Sequence, residues 1–261
     1  CTFCNMYKDK KFRIRPLNEV AEDLEMARNY YNRIQVRRIF LADGDALIVK
    51  TEDLLYIIDK CHEYFPEVER ISVYGAPKDI INKTPQDLRR LKEAGLDMVY
   101  VGLESGADEV LKDVKKGVTS AEMIEAGKKV REAGMVLSMT VISGLGGKKY
   151  WHEHALGSAR VISAIKPEYV GFLTLMVEPG TEIYDQVQRG EVELLNPQEV
   201  LDETELFIRN VDAQGTVFRS NHASNYTALG GTLNGDKEKI LAQIEASRRR
   251  SSFRPDSFRG I

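Results

Sequence analysis

Five near-continuous apolar runs, each followed by a stretch with helical spacing, constrain this chain more than any other feature. They are Val36 to Ala42, Val68 to Tyr74, Asp97 to Leu103, Met135 to Ser143 and Tyr169 to Val177. Runs of this length without polar alternation suit strands covered on both faces, as in a parallel sheet. A helical stripe precedes the first of them, with Val20, Leu24, Ala27 and Tyr31 following Pro16. Thr51 is placed to cap the next helix, whose stripe is Leu54, Ile58, Cys61 and Phe65. Thr84 before Pro85 is a cap followed by a first-turn proline. Thr119 with Glu122 predicts a capping box for a helix that ends at Gly134. Trp151 to Ile165 reads as a further helix. Strand and helix recur about every thirty residues, the spacing of βαβ units.

The pattern changes past Thr181. Asn196, Pro197 and Glu199 open a helix that runs to Arg209, and Thr216 to Arg219 reads as a short strand. A polar loop, Ser220 to Tyr226, leads to a helix from Asp236 to Arg250. The loop is equally suited to touching a substrate and to satisfying its own turns. The Arg-rich end through Arg259 reads as a solvated tail, and the stretch from Lys8 to Arg15 as extended and basic. Residues 1–181 are expected to form the catalytic core, with 182–261 an extension packed on it.

Composition excludes several classes. The 261 residues suffice for one barrel-sized domain. A net charge of −3 points to no nucleic-acid or membrane partner. No run of apolar residues is long enough to cross a membrane, and three cysteines do not make a disulfide framework. A reducing cytoplasm is expected, because thiolate-held clusters need free thiols.

The chemistry starts at Cys1-Thr2-Phe3-Cys4. Two thiolates at this spacing grip one soft metal from a single turn of loop, a geometry that zinc knuckles and redox pairs also use. An aromatic residue directly before the second cysteine, and a run of βα units after the loop, narrow the choice. Together they resemble the radical S-adenosylmethionine superfamily, whose Cys-x3-Cys-x2-Cys signature follows the first strand of a partial six-stranded (β/α) barrel. The resemblance makes Cys1 and Cys4 the second and third cluster ligands and lays Phe3 against the adenine. It sets the first cysteine four positions upstream of Cys1, after a first strand, so the sequence reads as a fragment that begins inside the motif.

In such barrels the functional residues gather where strands end. After the first visible run stands Asp43-Gly44-Asp45, where the superfamily carries a Gly-Gly-Glu motif for the cofactor's ammonium group. A solvated turn is the plainer reading. After the third run stands Gly102-Leu103-Glu104-Ser105-Gly106, with Leu111, Lys116 and Gly117 downstream. This stretch resembles the superfamily closely and implies that Glu104 and Ser105 bind the cofactor, Glu104 through the ribose hydroxyls; the alternative is a helix cap. After the fourth run, Ser143-Gly144-Leu145-Gly146-Gly147 matches neither a dinucleotide fingerprint nor a phosphate loop. The resemblance puts the backbone at Gly144 against adenine, beside the plain reading of a structural turn. His152 and His154, two apart on a helix, do not share a face and make no metal site. Glu178-Pro179-Gly180-Thr181 resembles the turn after the sixth superfamily strand. Cys61 is expected in the core.

The implied protein is a cytoplasmic enzyme holding a [4Fe-4S] cluster and S-adenosylmethionine. It would be fed by an electron donor such as a flavodoxin or ferredoxin and act on a small molecule or a substrate the sequence does not name. With no cysteines for a second cluster, RNA methylthiolation is disfavoured. The alternatives are a non-catalytic metal- or cofactor-binding barrel, and a barrel enzyme for a phosphorylated metabolite with an incidental cysteine pair.

Overall fold

The computed structural model describes residues 1–7, 10–251 and 253–260, so Lys8 lies outside the described residues. The chain forms two compact units. The smaller comprises Lys10–Val101 and Glu125–Leu137; the larger comprises Cys1–Asp9, Gly102–Ile124 and Ser138–Ile261.

In the smaller unit strand and helix alternate as the sequence predicts. Helix α1 spans Leu17–Tyr30, β1 Arg38–Leu41, α2 Thr51–Tyr64 and β2 Arg70–Tyr74. Helices α3 (Pro77–Asn82) and α4 (Pro85–Glu93) then lead into β3 (Leu96–Glu104). Strands β1, β2 and β3 are parallel, with Arg38 opposite Arg70 and Tyr74 opposite Tyr100. Helix α2 buries Leu54, Ile58 and Cys61 of the expected stripe, with Ile57 added, and Phe65 is buried just past its end. Each such side chain contributes about 1.5–3 kcal/mol when fully buried. Burial pushes the Cys61 thiol up to about 11, so it is an inert core group.

Thr84 caps α4 as predicted, its Oγ1 accepting the Asp87 amide at 3.0 Å. Thr51 does not cap α2. The turn already closes at Lys50, whose carbonyl accepts the Leu54 amide at 3.0 Å, and Thr51 is the first helical residue. The short helix α3 was not legible in advance. A proline at its first position starts it, but six residues carry no periodic stripe.

Helix α6 (Ser120–Glu132) carries the predicted capping box, with the Thr119 amide on Glu122 at 2.7 Å and the Glu122 amide on Thr119 at 3.2 Å.

The larger unit takes α5 (Asp108–Asp113), most of β4 (Val136–Ser143), α7 (Gly147–Ile165) and β5 (Tyr169–Thr174). After these come α8 (Glu182–Gln188), α9 (Pro197–Asn210), β6 (Val217–Ser220), β7 (Leu229–Thr232) and α10 (Lys237–Arg250). Strand β5 runs parallel to β4 and β6, and β7 closes antiparallel to β6. Phe172, Phe207 and Phe218 pack together, with centroids 4.7 Å and 5.2 Å from Phe172. Asn196 and Glu199 form the expected capping box on α9. Helix α7 starts four residues before the expected Trp151, with non-helical angles at Tyr150. Strand β7 and helices α5 and α8 escaped the sequence reading because each is too short to show a period. The fold class is as expected, α/β: the strands stand in chain order, β1 to β7, in one mostly parallel sheet.

The Arg-rich end is largely exposed, as expected, but several of its arginines have fixed partners. Arg248 pairs with Asp202, Glu205 and Glu245, and Arg254 donates to the carbonyl of Ala223 at 2.6 Å. Arg259 has a side chain only 5% exposed, donates to the carbonyls of Ser224 and Leu175, and stacks on Tyr226 at 3.9 Å. Arginines with fixed carbonyl and carboxylate partners are ordered by them, which composition does not reveal.

Candidate functional site

In the larger unit the cysteine loop is tied at its second residue. The Thr2 amide donates to Val114 at 3.0 Å and its carbonyl accepts from Ile183 at 3.0 Å. The loop is thus pinned between the end of α5 and the start of α8. Phe3 packs on the apolar cluster of Ala107, Val110, Val114, Leu145 and Ile183. Cys1 is exposed and Cys4 half-buried, and both thiols are free. A cavity of about 340 Å³ opens beside them, lined by Phe3, Cys4, Ile142, Thr174, Met176 and His222 among others. Anchored free thiols are the donors that soft iron centres take, so the residues present fit two thiolate positions of a cluster. Among the described residues no group of three or more His, Cys, Asp or Glu side chains is arranged to hold a metal ion.

Glu104 ends β3 with φ +60°, in the left-handed region. A non-glycine residue held there costs energy, and such residues cluster at working sites. Its Oε1 accepts from Lys116 Nζ at 3.0 Å, both side chains about 15% exposed or less. A Cβ at Gly102 would stand 2.0 Å from that oxygen, so glycine there makes room for the carboxylate. Glu104 is therefore not a helix cap. Its charge is matched inside the fold, as an interior carboxylate requires.

Ser105 turns inward. It is fully buried, and its Oγ accepts the Ala107 amide at 3.1 Å and meets His154 Nδ1 at 2.8 Å. Gly144, after β4, has φ +80° and sends its amide to Glu203 Oε1 at 2.9 Å. His154 and Glu203 are buried, and burial drives both towards neutrality: Glu203 is pushed up to about 8 and His154 down to about 4. Gly144 also lines a second cavity, of about 290 Å³, with Ser143, Tyr226 and Arg259.

The Ser220–Tyr226 loop is built onto the end of β5. Asn225 accepts from Thr174 Oγ1 at 2.9 Å and donates to the Phe172 carbonyl at 2.8 Å. Ser224 Oγ accepts the Thr174 amide at 3.2 Å. His222 Nδ1 accepts the Ser224 amide at 3.1 Å, so the ring proton sits on Nε2. The loop thus satisfies its own turns and also lines the larger cavity.

In the smaller unit Asp43 has φ +76°, is exposed and pairs with Lys10 at 3.2 Å. Gly44, at φ +99°, makes the turn. Asp45 faces the other way. Burial and a hydrogen bond to Asp79 push its carboxyl up to about 7, and its Oδ1 has no hydrogen-bond partner among the described residues. Cys1, Phe3, Cys4, Glu104, Ser105 and Gly144 thus belong to one unit, and Asp43, Gly44 and Asp45 to the other.

Sequence reasoning missed Glu203 and left His154 without a role. A signal for Glu203 existed: it shares the buried face of α9 with Val200, Thr204 and Phe207. An acid within an apolar stripe is the mark of an interior carboxyl.

The family model for the Radical SAM superfamily matches residues 1–157. The heme chaperone HemW of Bacillus subtilis is 22% identical over 238 residues, 88% of this chain and 61% of that protein. A putative methylthiotransferase of Methanocaldococcus jannaschii is 25% identical over 150 residues, 54% of this chain and 32% of that protein. The chain therefore spans less than two thirds of either relative. Among solved structures, coproporphyrinogen III oxidase (HemN) from Escherichia coli, a radical SAM enzyme, matches with a TM-score of 0.57 at 15% identity. The match covers 100% of this chain and 68% of that one, and it is a likeness of fold.

Proposed function

The chain belongs to the radical S-adenosylmethionine superfamily, and from that membership we propose that it is an enzyme binding a [4Fe-4S] cluster and S-adenosylmethionine to abstract hydrogen from a substrate. The observation that carries the reading is the pinned loop with two free thiols, whose Phe3 and Cys4 line an open apolar cavity. Cys1 and Cys4 would hold two irons as thiolates, the third thiolate being the one the resemblance sets upstream. The bound cluster would supply the electron that cleaves S-adenosylmethionine into methionine and a 5′-deoxyadenosyl radical.

The chain's own residues bind, orient and exclude water. Phe3 and Ile142 offer adenine an apolar wall. Gly144, whose missing side chain leaves open space within 4 Å, lets backbone come close to a flat ring. Glu104 keeps Oε2 available for ribose hydroxyls while Lys116 holds Oε1. Ser105 acts behind it, steadying the turn. The resemblance assigns Asp43, Gly44 and Asp45 to the cofactor's ammonium group. Residues 1–181 are the proposed core and 182–261 an extension that braces it, as Asn225 does for Thr174. The proposed setting is the cytoplasm, with a flavodoxin- or ferredoxin-like donor; among the described residues no helix is long and apolar enough to cross a membrane.

Protein expressed from its native gene and reconstituted without oxygen should be brown and hold about four irons per chain. Cys1→Ala and Cys4→Ala should each lose colour and iron. Colour and iron persisting in both would sink the assignment, and stoichiometric zinc without iron would favour a structural metal module.

A further inference from the structure

We infer that Glu203 is a positioning residue for the cofactor site: its buried carboxyl accepts the Gly144 amide and holds the turn after β4. The inference rests on the reading that this turn faces S-adenosylmethionine.

The residues concerned all lie within the larger unit. Ser105 Oγ accepts the Ala107 amide and hydrogen-bonds with His154 Nδ1, 2.8 Å away. His154 Nε2 faces Glu203 Oε1 at 3.7 Å. The same Oε1 takes the Gly144 amide at 2.9 Å. Oε1 thus takes one amide, with the imidazole beyond hydrogen-bond distance, and the second oxygen, Oε2, has no hydrogen-bond partner among the described residues. Burial with no cation beside the carboxyl among the described residues favours the neutral acid. An ion pair is the wrong description. The distance of 3.7 Å is too long for a charge-assisted hydrogen bond, and both groups are driven towards their neutral forms. From α7 the facing titratable group is His154, and no other charged side chain pairs with Glu203 among the described residues.

The consequence is mechanical. Gly144 sits in the left-handed region, so its amide points away from the β4 ladder and needs an acceptor elsewhere. Glu203 is that acceptor, and it comes from a helix outside the region that carries the cysteine and glycine motifs. While Glu203 is neutral, the turn is held by a buried hydrogen bond without a buried charge. Ionisation puts an unpaired charge beside the turn, which buried sites resist.

Glycine-labelled protein followed by amide NMR tests this without the cluster. The Gly144 amide signal should move with a midpoint near pH 8, and Glu203→Gln should abolish that movement while leaving the amide protected from hydrogen exchange. Glutamine copies the neutral acid, accepting the amide without a charge. Glu203→Leu should expose the Gly144 amide, with exchange faster by at least about tenfold, the worth of one hydrogen bond of typical strength. In reconstituted protein, calorimetry should show S-adenosylmethionine affinity near wild type in Glu203→Gln and about tenfold weaker in Glu203→Leu. A Gly144 signal that ignores pH around 8, or keeps its protection in Glu203→Leu, overturns the inference. Should Glu203→Leu fail to fold, the wild-type titration and its loss in Glu203→Gln still decide. If the amide behaves as stated but wild-type protein binds no S-adenosylmethionine, the hold on the turn stands and the cofactor reading falls.

Discussion

The two acidic turns that end β1 and β3 treat their carboxylates in opposite ways. After β3, Glu104 is mostly buried and has a cation, Lys116, at 3.0 Å. After β1, Asp43 lies in solvent with Lys10, while Asp45 turns inward against a second acid, Asp79. A cation stabilises the charged form; a second carboxyl and burial stabilise the protonated one. Lys116 fixes one oxygen of Glu104, whereas burial and the hydrogen bond to Asp79 push Asp45 up to about 7. An acid at a strand end is therefore not a role until its neighbours are known.

Breaking the β3 turn should have the largest effect. Glu104→Ala should weaken S-adenosylmethionine binding by one to two orders of magnitude, since hydrogen bonds to a charged group contribute about 1.5–3 kcal/mol. It also strands Lys116, whose side chain is 15% exposed, so stability should fall as well. The sequence alone predicts no such fall. Glu104→Ala combined with Lys116→Met should recover thermal stability but not affinity. Recovery of both, or full affinity in the single variant, would defeat the assignment.

The β1 turn should respond to pH instead. With Asp45 raised from 3.8 to about 7, the folded protein binds more protons than the unfolded chain between those values, so this group's contribution to stability is present at low pH and lost as pH rises through 7. Asp79→Asn removes the second charge and should shrink the loss of stability between pH 5 and 8, measured by urea unfolding of both proteins. An unchanged difference would mean that burial alone raises Asp45. Glu203, also raised, adds a fall of the same sign, and His154, lowered, opposes it below its unfolded pKa. The comparison of variant with wild type cancels both.

The smallest effect serves as a control for the two turns. Cys61→Ala removes a buried thiol on α2 and should cost about 1 kcal/mol of stability, as small core deletions do. Its S-adenosylmethionine affinity and its pH response should match wild type. A change in affinity would give Cys61 a part it has not been assigned.

Periodicity and capping alone determined the alternation of strand and helix. Val36 to Ala42 and Tyr169 to Val177 were read long at their ends, yet each contains its strand. Thr84, the Thr119–Glu122 pair and the Asn196–Glu199 pair cap the helices they were expected to cap, because capping involves residues two or three apart. The cysteine loop and the acids at strand ends were legible for the same reason: a motif is a local arrangement.

What only the tertiary structure decided are the partners that come from far along the chain. Glu104 finds Lys116, Asp45 finds Asp79, Gly144 finds Glu203 and Thr174 finds Asn225. None of these pairings leaves a mark in spacing, and each sets a charge or the hold on a loop. The protonation of a carboxyl depends on burial and on what faces it within a few ångströms, and folding alone creates both. The sequence therefore names the acids and the turns, and the packing decides which of those acids carry a charge.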